Sequence, residues 1–319
     1  MESIVTFTIN PAVDVFLEVP RVVPDRKLRC LAPLYEPGGG GVNVSRAIRR
    51  LGGTSVALFP AGGSPGDRLV TMLEREEIPV NVVRIAQPTR EDVNVVERVT
   101  GSEYRFIVPG PELSDEEWRH CLRALRSIQP APDIVVASGS LPPSVPIDFY
   151  ARVAAIATEA GFRLIVDTSG EPLRHAATSG TFLLKPNVAE MASIAGGAIS
   201  ESIIEGAARA IVSTGRSQIV VISMGGGGAI LADARGVKRI AAPVVPIASR
   251  VGAGDSMVAG IAISLARGWD IDDAVQFGVA AGSAAVMAPG HRLCSREQTE
   301  LLFEQMRLKH EPIHALAGV

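Results

Sequence analysis

Short, nearly continuous apolar segments of strand length alternate along the chain with segments of helical periodicity. Uninterrupted apolar strands are typical of a parallel sheet that is buried on both faces, and the alternation of strands and helices predicts an α/β fold, a three-layer, doubly wound, mainly parallel sheet. The predicted strands are Ile4–Ile9, Ser55–Phe59, Ile134–Ala137, Leu164–Val166, Phe182–Leu184 and Ile219–Ile222. The predicted helices are Val42–Leu51, Gly66–Glu76, Ser114–Ile128, Asp148–Ala160, Ala189–Ile194 and Ile203–Ser213.

Two regions follow a different pattern. Apolar and polar residues alternate over Val13–Val19, a second extended run reaches from Lys27 towards Tyr35, and Asp92–Val108 reads as a hairpin turning at Gly101. Alternation with a period of two predicts strands with one dry and one wet face. We expect a small β lid, from segments of about 12–36 and 88–110, whose dry face covers substrate or a partner subunit. The alternative is a pair of ordinary surface hairpins.

The 319 residues, 47% of them hydrophobic, can form one large domain or two small ones, and we expect a single domain over 1–319. The net charge of −3 gives no reason to expect nucleic acid or an anionic membrane as a partner. The start lacks a basic leader and no apolar run approaches the length of a membrane span, which favours a cytoplasmic protein. The unpaired spacing of Cys30, Cys121 and Cys294 predicts reduced thiols.

The most informative stretch is Val251–Gly260, where Gly252 and Gly254 precede a run of helical spacing. The free N–H groups and dipole of a helix start form an anion site, and glycines let a phosphate approach the backbone. Asp255 lies inside this site. It is either an ordinary N-cap or first-turn residue, or a base that takes a proton from an attacking hydroxyl while the loop amides hold the phosphoryl group.

Other polar groups follow the predicted strands. Four glycines, Gly38–Gly41, lead into a helix, and we expect a ligand to approach their backbone closely. Lys185 and Asn187 precede Glu190, which fits either a capping box or a site for phosphate and hydrated Mg²⁺. The remaining strand-end loops are Ser138–Ser140 and Ser223–Gly228. The glycine loops match neither the dinucleotide fingerprint nor the P-loop pattern.

These residues resemble the ribokinase-like (PfkB) carbohydrate kinases over nearly the whole chain. Both signatures of that family occur in order, Gly38–Leu51 and Val251–Gly260, with Lys185–Asn187 between them. Within the family the resemblance is strongest to the minor bacterial 6-phosphofructokinases, and it is carried by Lys27–Cys30, Glu36–Gly41, Tyr104–Phe106, Gly282–Ala285 and Arg292–Ser295. The 1-phosphofructokinases usually carry a lysine within the first glycine run, where this chain has only glycines.

The resemblance implies ATP-dependent phosphorylation of the C1 hydroxyl of fructose 6-phosphate, with Mg²⁺ and K⁺, in a homodimer joined through the lid. It assigns the base to Asp255 and the anion hole to Gly252, Ala253 and Gly254. It assigns sugar binding to Asp14, Gly38, Gly39, Gly40, Asn43 and Ser140, and the 6-phosphate to Arg90 and Arg105. It assigns the nucleotide to Lys185, Asn187, Ser223, Gly225, Gly226, Gly228 and Ser283.

The same resemblance places Glu190 in the outer shell of Mg²⁺, and a second, inhibitory nucleotide near Lys27. It assigns K⁺ to Ser249, Val251, Ala285, Ala288, Gly290 and Arg292, with Ala288 standing where a relative carries asparagine. Two alternatives remain. The substrate can be tagatose 6-phosphate or fructose 1-phosphate, or the chain can be a non-catalytic sugar or nucleotide sensor on the same scaffold.

Overall fold

The computed structural model describes residues 1–197, 200–288, 290 and 292–310. Its strands, in chain order, are β1 (Ile4–Phe7), β2 (Ala12–Val19), β3 (Leu34–Gly38), β4 (Val56–Ala61), β5 (Val80–Arg84), β6 (Arg90–Glu97), β7 (Glu103–Phe106), β8 (Ile134–Ser138), β9 (Arg163–Asp167), β10 (Thr181–Leu184), β11 (Ser217–Ser223), β12 (Ala229–Asp233) and β13 (Gly236–Ile240). Its helices are α1 (Gly40–Arg50), α2 (Gly63–Arg75), α3 (Asp115–Arg126), α4 (Phe149–Ala160), α5 (Gly170–Ala176), α6 (Val188–Ile194), α7 (Glu201–Ser213), α8 (Ala253–Ala266), α9 (Ile271–Met287) and α10 (Arg296–His310).

Nine strands form one central sheet in the order β13-β12-β11-β10-β9-β8-β1-β4-β5. The pairs from β11 through β5 are parallel, and only the β12 and β13 hairpin at one edge is antiparallel. The order reverses at β1, which lies between β4 and β8. This is the doubly wound, mainly parallel sheet that the alternation of strands and helices predicted, so the fold class is confirmed.

Helices cover both faces of the sheet, and neighbouring residues of one strand belong to different cores. On β8, Ile134 and Val136 pack with α1, α8, α9 and α10, whereas Val135 and Ala137 pack with α3, α4 and α7. Because both faces are dry, every position in such a strand is apolar, which explains the continuous hydrophobic runs. No helix among the described residues combines the length and apolar character needed to cross a membrane.

A second, four-stranded sheet has the order β3-β2-β6-β7. Its central pair, β2 and β6, is parallel and joins the two regions that showed alternation with a period of two. The extended run expected from Lys27 is shorter than predicted, since residues 27–33 have no regular structure and β3 begins only at Leu34. We call this four-stranded sheet the lid.

Helices α8 and α9 pack at very short range through two glycines. A Cβ added at Gly260 would lie 2.9 Å from the Cα of Gly278, and one added at Gly278 would lie 2.8 Å from the carbonyl oxygen of Met257. Such separations leave no room for a side chain at either position. The close contact fixes the position of α8 on the sheet and therefore the position of its N-terminus.

Candidate active site

The first residues of α1 lie against the ends of two central strands. A Cβ at Gly40 would stand 2.4 Å from the hydroxyl oxygen of Ser138, and one at Gly41 would stand 2.5 Å from that of Thr8. Gly39, the residue before α1, has a φ of 102°, which favours glycine. Close packing against Ser138 and Thr8 is therefore by itself a sufficient reason for the glycines at 40 and 41.

Asp14 projects from β2 beside Gly38, where an added Cβ would lie 2.7 Å from its carboxyl carbon. The pKa of Asp14 is raised to about 6, chiefly by burial and also by the nearby carboxylate of Asp92, while Arg90, Arg105 and Arg46 act in the opposite direction. The carboxyl group is therefore mostly ionised at neutral pH and takes up its proton near pH 6, where it gains a hydrogen-bond donor.

Asp255 occupies the first turn of α8, whose preceding residue Gly252 has a left-handed φ of 72°. Its carboxylate does not cap this helix. Instead, Oδ2 of Asp255 accepts a hydrogen bond of 2.9 Å from Nδ2 of Asn43 on α1. Burial, followed by the charge of Asp167, raises the pKa of Asp255 to about 7, although Asn43 and Lys185 act to lower it. A carboxyl group with this pKa is suited to exchanging a proton near neutral pH.

A buried lysine lies beside Asp255. Nζ of Lys185 stands 3.2 Å from Oδ1 of Asp167, at the end of β9. Burial alone would lower the pKa of Lys185, but Asp167, Glu190 and Asp255 together hold it above its ordinary value. A Cβ at Gly254 would lie 3.8 Å from the same ammonium group, so the lysine reaches the glycine turn. Lys185 therefore places a fixed positive charge at the predicted anion hole.

Asn187 and Glu190 form the capping box of α6. Each side chain accepts from the backbone N–H of the other residue, at distances of 2.8 and 2.9 Å. Burial raises the pKa of Glu190, as does Asp167, and Lys185 opposes this effect. The capping box and a role near Mg²⁺ are therefore compatible, because the carboxylate of Glu190 also lies close enough to interact with Lys185.

A cavity of about 590 Å³ opens next to the glycine turn. It reaches Ala253 and Gly254, and its wall includes apolar groups such as Val245 and Val279 together with the charged Arg250. Of the residues predicted to bind nucleotide, it is lined by Ser223, Gly225, Gly226, Gly228 and Ser283. Lys185 and Asn187 are not among its lining residues, although the backbone of Asn187 pairs with that of Ser223. The cavity therefore extends to Gly254, the residue that precedes Asp255 in the chain.

The loop after β8 is fixed by two hydroxyl groups that donate to the same carbonyl. Tyr150 and Thr168 donate to the oxygen of Gly139 at 2.7 and 2.8 Å. The neighbouring Ser140 accepts a hydrogen bond of 3.1 Å from Nδ2 of Asn10. Ser140 is therefore held by Asn10, and the preceding Gly139 is held by Tyr150 and Thr168 next to the start of α1.

The two predicted phosphate-binding arginines have different surroundings. Arg90, the first residue of β6, is almost entirely buried, and it contacts Asp92 together with the backbone carbonyls of Asn10 and Val108. Arg105 on β7 is exposed and donates from Nε to the side chain of Asn94. Both arginines are therefore carried by the lid, Arg90 buried at the start of β6 and Arg105 exposed on β7.

The residues predicted for K⁺ surround the C-terminus of α9. The N–H groups of Ala248 and Ser249 both donate to the carbonyl of Val286, which brings the segment before Val251 to this helix end. The carbonyl of Ala285 accepts the N–H of Ala288 at 3.1 Å and keeps a second lone pair. Ala285 and Ala288 can therefore both offer backbone oxygen atoms at this helix end. Gly290 and Arg292 are described, and their neighbours 289 and 291 lie outside the described residues. Lys27 is exposed in the segment between β2 and β3, where the chain has no regular structure.

Four residues near the site escaped the sequence patterns: Thr8, Asn10, Asp92 and Asp167. The hydroxyl oxygen of Thr8 and Oδ1 of Asn10 are buried without a hydrogen-bond partner in the described part of the chain. Asp167 follows directly after the predicted strand Leu164–Val166, and this position was a usable signal. Asp92 had no such signal in the sequence, because its position beside Asp14 depends on the pairing of β6 with β2.

The chain belongs to the pfkB family of carbohydrate kinases, whose model matches residues 2–298. It is 45% identical over 305 residues to the ATP-dependent 6-phosphofructokinase isozyme 2 of Mycobacterium tuberculosis, covering 94% of this chain and 89% of that protein. The crystal structure of phosphofructokinase-2 from Escherichia coli in complex with potassium is similar, with a TM-score of 0.93 and 39% identity over 96% of this chain and all of the other. The same enzyme in complex with fructose-6-phosphate gives a TM-score of 0.90 at 39% identity, again over 96% and 100% of the two chains.

Proposed function

We propose that the protein transfers the γ-phosphoryl group of ATP to the C1 hydroxyl of fructose 6-phosphate, giving fructose 1,6-bisphosphate and ADP. The observation that carries this proposal is the position of Asp255, a carboxyl group of raised pKa between the 590 Å³ cavity and the sugar-side residue Asn43. The names of the relatives and the fructose-6-phosphate complex of the E. coli enzyme support the same substrate. One kinase domain over 1–319, with the lid as its inserted part, would perform the reaction.

In the proposed reaction, the C1 oxygen attacks the γ-phosphorus and the bond to the ADP oxygen breaks. Asp255 takes the proton of the C1 hydroxyl, since no other carboxyl group is placed beside both Asn43 and the glycine turn in the described structure. The backbone of Gly252, Ala253 and Gly254, with the ammonium group of Lys185, stabilises charge on the transferring group. Catalysis of this kind relies on alignment and charge stabilisation more than on covalent chemistry.

Sugar binding is assigned to the opposite wall of the cleft. Asp14, Asn43 and Ser140 bind hydroxyl groups, the backbone at Gly38–Gly40 lines the site, and Arg90 and Arg105 bind the 6-phosphate. Arginine is suited to this task because its planar guanidinium engages two phosphate oxygens at once. Nucleotide binding is assigned to the cavity residues Ser223, Gly225, Gly226, Gly228 and Ser283, with Lys185 and Asn187 at its inner end.

The residues present fit Mg²⁺ bound mainly through the nucleotide. Among the described residues, no group of three or more histidine, cysteine, aspartate or glutamate side chains could hold a metal ion. Mg²⁺ usually keeps several waters and takes one or two carboxylates together with substrate phosphates. Glu190 would hold a water of this ion, and the bound metal would neutralise charge on the phosphates. K⁺ would bind the backbone oxygens at the end of α9, where Ala288 serves as well as asparagine.

The decisive experiment is an assay of ADP release with fructose 6-phosphate, tagatose 6-phosphate, fructose 1-phosphate and free fructose, each with K⁺ or with Na⁺ alone. We expect the highest kcat/KM with fructose 6-phosphate and a higher rate with K⁺. A higher kcat/KM with another ketose phosphate would show that this compound, and not fructose 6-phosphate, is the substrate. If no sugar caused ADP release, the protein would not be a sugar kinase, and only the alternative of a non-catalytic sugar or nucleotide sensor would remain.

We further propose that two copies of the chain associate through the lid. Large apolar side chains are exposed there, namely Leu28, Leu31, Leu34, Tyr35, Tyr104, Phe106, Ile107 and Val108. Exposed apolar patches of this kind mark association surfaces.

We also propose that a second nucleotide binds near Lys27, in the segment between β2 and β3. Lys27→Ala would then relieve the inhibition of the enzyme by excess ATP while leaving the rate at low ATP unchanged.

A further inference from the structure

A buried pair of charges lies where the chain enters the lid. Arg90 and Asp92 are two residues apart on β6, so their side chains point to the same face. Nη1 of Arg90 is 3.0 Å from Oδ2 of Asp92, and the two side chains are only 10% and 5% exposed. Oδ1 of Asp92 also accepts the N–H of Val108 at 3.0 Å, where the chain leaves the lid. Asp92 thus holds both ends of the β6–β7 hairpin.

Both terminal nitrogens of the Arg90 guanidinium have acceptors, whereas Nε has none among the described residues. Nη1 also donates to the carbonyl of Val108 at 3.1 Å, and Nη2 donates to that of Asn10 at 3.3 Å. Nε is buried without an acceptor among the described residues. Nε and Nη2 form the edge with which arginine engages phosphate through two parallel hydrogen bonds. The contacts of Nη1 therefore set the plane in which that edge lies.

The register of the lid places this pair beside the sugar-side carboxylate. In the parallel pairing of β2 with β6, Ala12 lies opposite Arg90 and Asp14 lies opposite Asp92. The proposed hydroxyl-binding group and the proposed phosphate-binding group are therefore on neighbouring positions of one small sheet. A shift of Arg90 relative to Asp14 would change the distance between the hydroxyl-binding and the phosphate-binding group. It would therefore change the length of the sugar phosphate that the site can accept.

We propose that Asp92 is a positioning residue that determines specificity for a phosphorylated sugar, because it fixes the guanidinium plane of Arg90 and the return segment at Val108. This inference rests on the proposed function, in which Arg90 binds the 6-phosphate. In the proposed site Asp92 contacts neither the sugar nor the nucleotide, and it is not needed for the chemistry at Asp255. Its charge also raises the pKa of Asp14, but an effect through Asp14 would act on phosphorylated and free sugars alike, whereas the effect through Arg90 is specific to the phosphate.

The test compares Asp92→Asn with the parent on fructose 6-phosphate and on free fructose. Asparagine keeps the shape of the side chain but removes the charge that holds Arg90. We expect KM for fructose 6-phosphate to rise roughly tenfold to a hundredfold, because misplacing a contact group by about 1 Å has effects up to this size. The KM for ATP and the kcat/KM for fructose should stay within about twofold. Glu103→Gln, which removes one exposed charge from β7, is the matched control and should change neither.

Two further variants separate positioning from a general loss of structure. In an Arg90→Ala background, Asp92→Asn should have no additional effect, since the two residues act as one unit. Arg90→Lys keeps the positive charge but loses the planar guanidinium, and it should lose the preference for fructose 6-phosphate even if Asp92→Asn does not fold. Full preference in Arg90→Lys, or an equal loss on both sugars in Asp92→Asn, would overturn the inference.

The same assay distinguishes this inference from the proposed function. If the parent does not prefer fructose 6-phosphate over fructose, the proposed function fails. If the parent shows the preference and Arg90→Ala loses it while Asp92→Asn retains it, the proposed function stands and only the role of Asp92 is refuted.

Discussion

The carboxyl group of Asp255 combines burial with a single strong hydrogen bond, from Asn43. Replacing it with asparagine retains the shape and removes the base. We expect Asp255→Asn to lower kcat by roughly 10² to 10⁴, the range for a positioned general base, with little change in KM for ATP. The measurement is steady-state ADP release with saturating fructose 6-phosphate. Turnover close to that of the parent would show that another group accepts the proton.

The same variant should be more stable than the parent at alkaline pH. The pKa of Asp255 is about 7 in the folded protein and about 3.9 in an unfolded chain, so the folded state disfavours the ionised form. Below about pH 4 the group is neutral in both states and has no effect. As the pH rises from about 4 to 7 it increasingly destabilises the fold. The thermal midpoint of Asp255→Asn should therefore exceed that of the parent at pH 8, and the difference should vanish near pH 4.

Two titrating carboxyl groups should shape the pH dependence of the reaction. Asp255 must be ionised to act as a base, so kcat/KM should increase with pH through about 7 and level off near 8. Asp14, with a pKa of about 6, should steepen the decline below that value. Initial rates between about pH 5 and 9 test this. A profile that is flat from about pH 6 to 8 would contradict the assignment of Asp255.

At the scale of elements, the contact between α8 and α9 depends on Gly260. Alanine is a better helix former than glycine by about 1 kcal/mol, yet Gly260→Ala should destabilise the protein by roughly 1–3 kcal/mol because its Cβ meets the backbone of Gly278. Denaturant unfolding measures this change. Gly206→Ala on α7 is the control, since an added Cβ there meets no atom within 4 Å. It should be neutral or stabilising, and equal effects at both positions would contradict the packing argument.

The elements that the sequence predicted well are those with a continuous apolar pattern. Strands such as β8 are buried on both faces, and helices such as α1 carry a clear apolar stripe. The local spacing of apolar residues was therefore sufficient to predict them. The edge strands β5 and β13 were missed because they are partly exposed and lack that pattern. Helix α9 was missed because it is apolar around most of its circumference, which removes the amphipathic signal.

The site was predictable where one short stretch carries the chemistry. Asp255 and Lys185 follow directly from a glycine turn and a strand end, and the structure brings them to the same place. Asn10 was not predictable, because its contact with Arg90 joins residues that are eighty positions apart in the chain. Asp92 lies only two residues from Arg90, but its place beside Asp14 depends on the pairing of β6 with β2. Local spacing carries no information about which strand of the lid lies beside which.

At the scale of the whole molecule, the exposed apolar surface of the lid predicts an assembly. Phe106, at the edge strand β7, is 57% exposed, and a charge there should disfavour its burial against a second copy. We expect the parent to be a dimer and Phe106→Asp to be a monomer by light scattering at micromolar concentration. Val99→Asp is the control because Val99 is equally exposed but lies in the turn of the lid. A monomeric parent would refute the lid interface.

The parallel pairing of β2 with β6 has a consequence for how this protein can change. Each half of the lid contributes only part of a sheet, and each half depends on the other for its central hydrogen bonds. Deleting either segment would expose the unpaired edge of the remaining one and remove the sugar-side residues it carries. The two segments are therefore expected to be gained, lost or exchanged together, despite their separation along the chain.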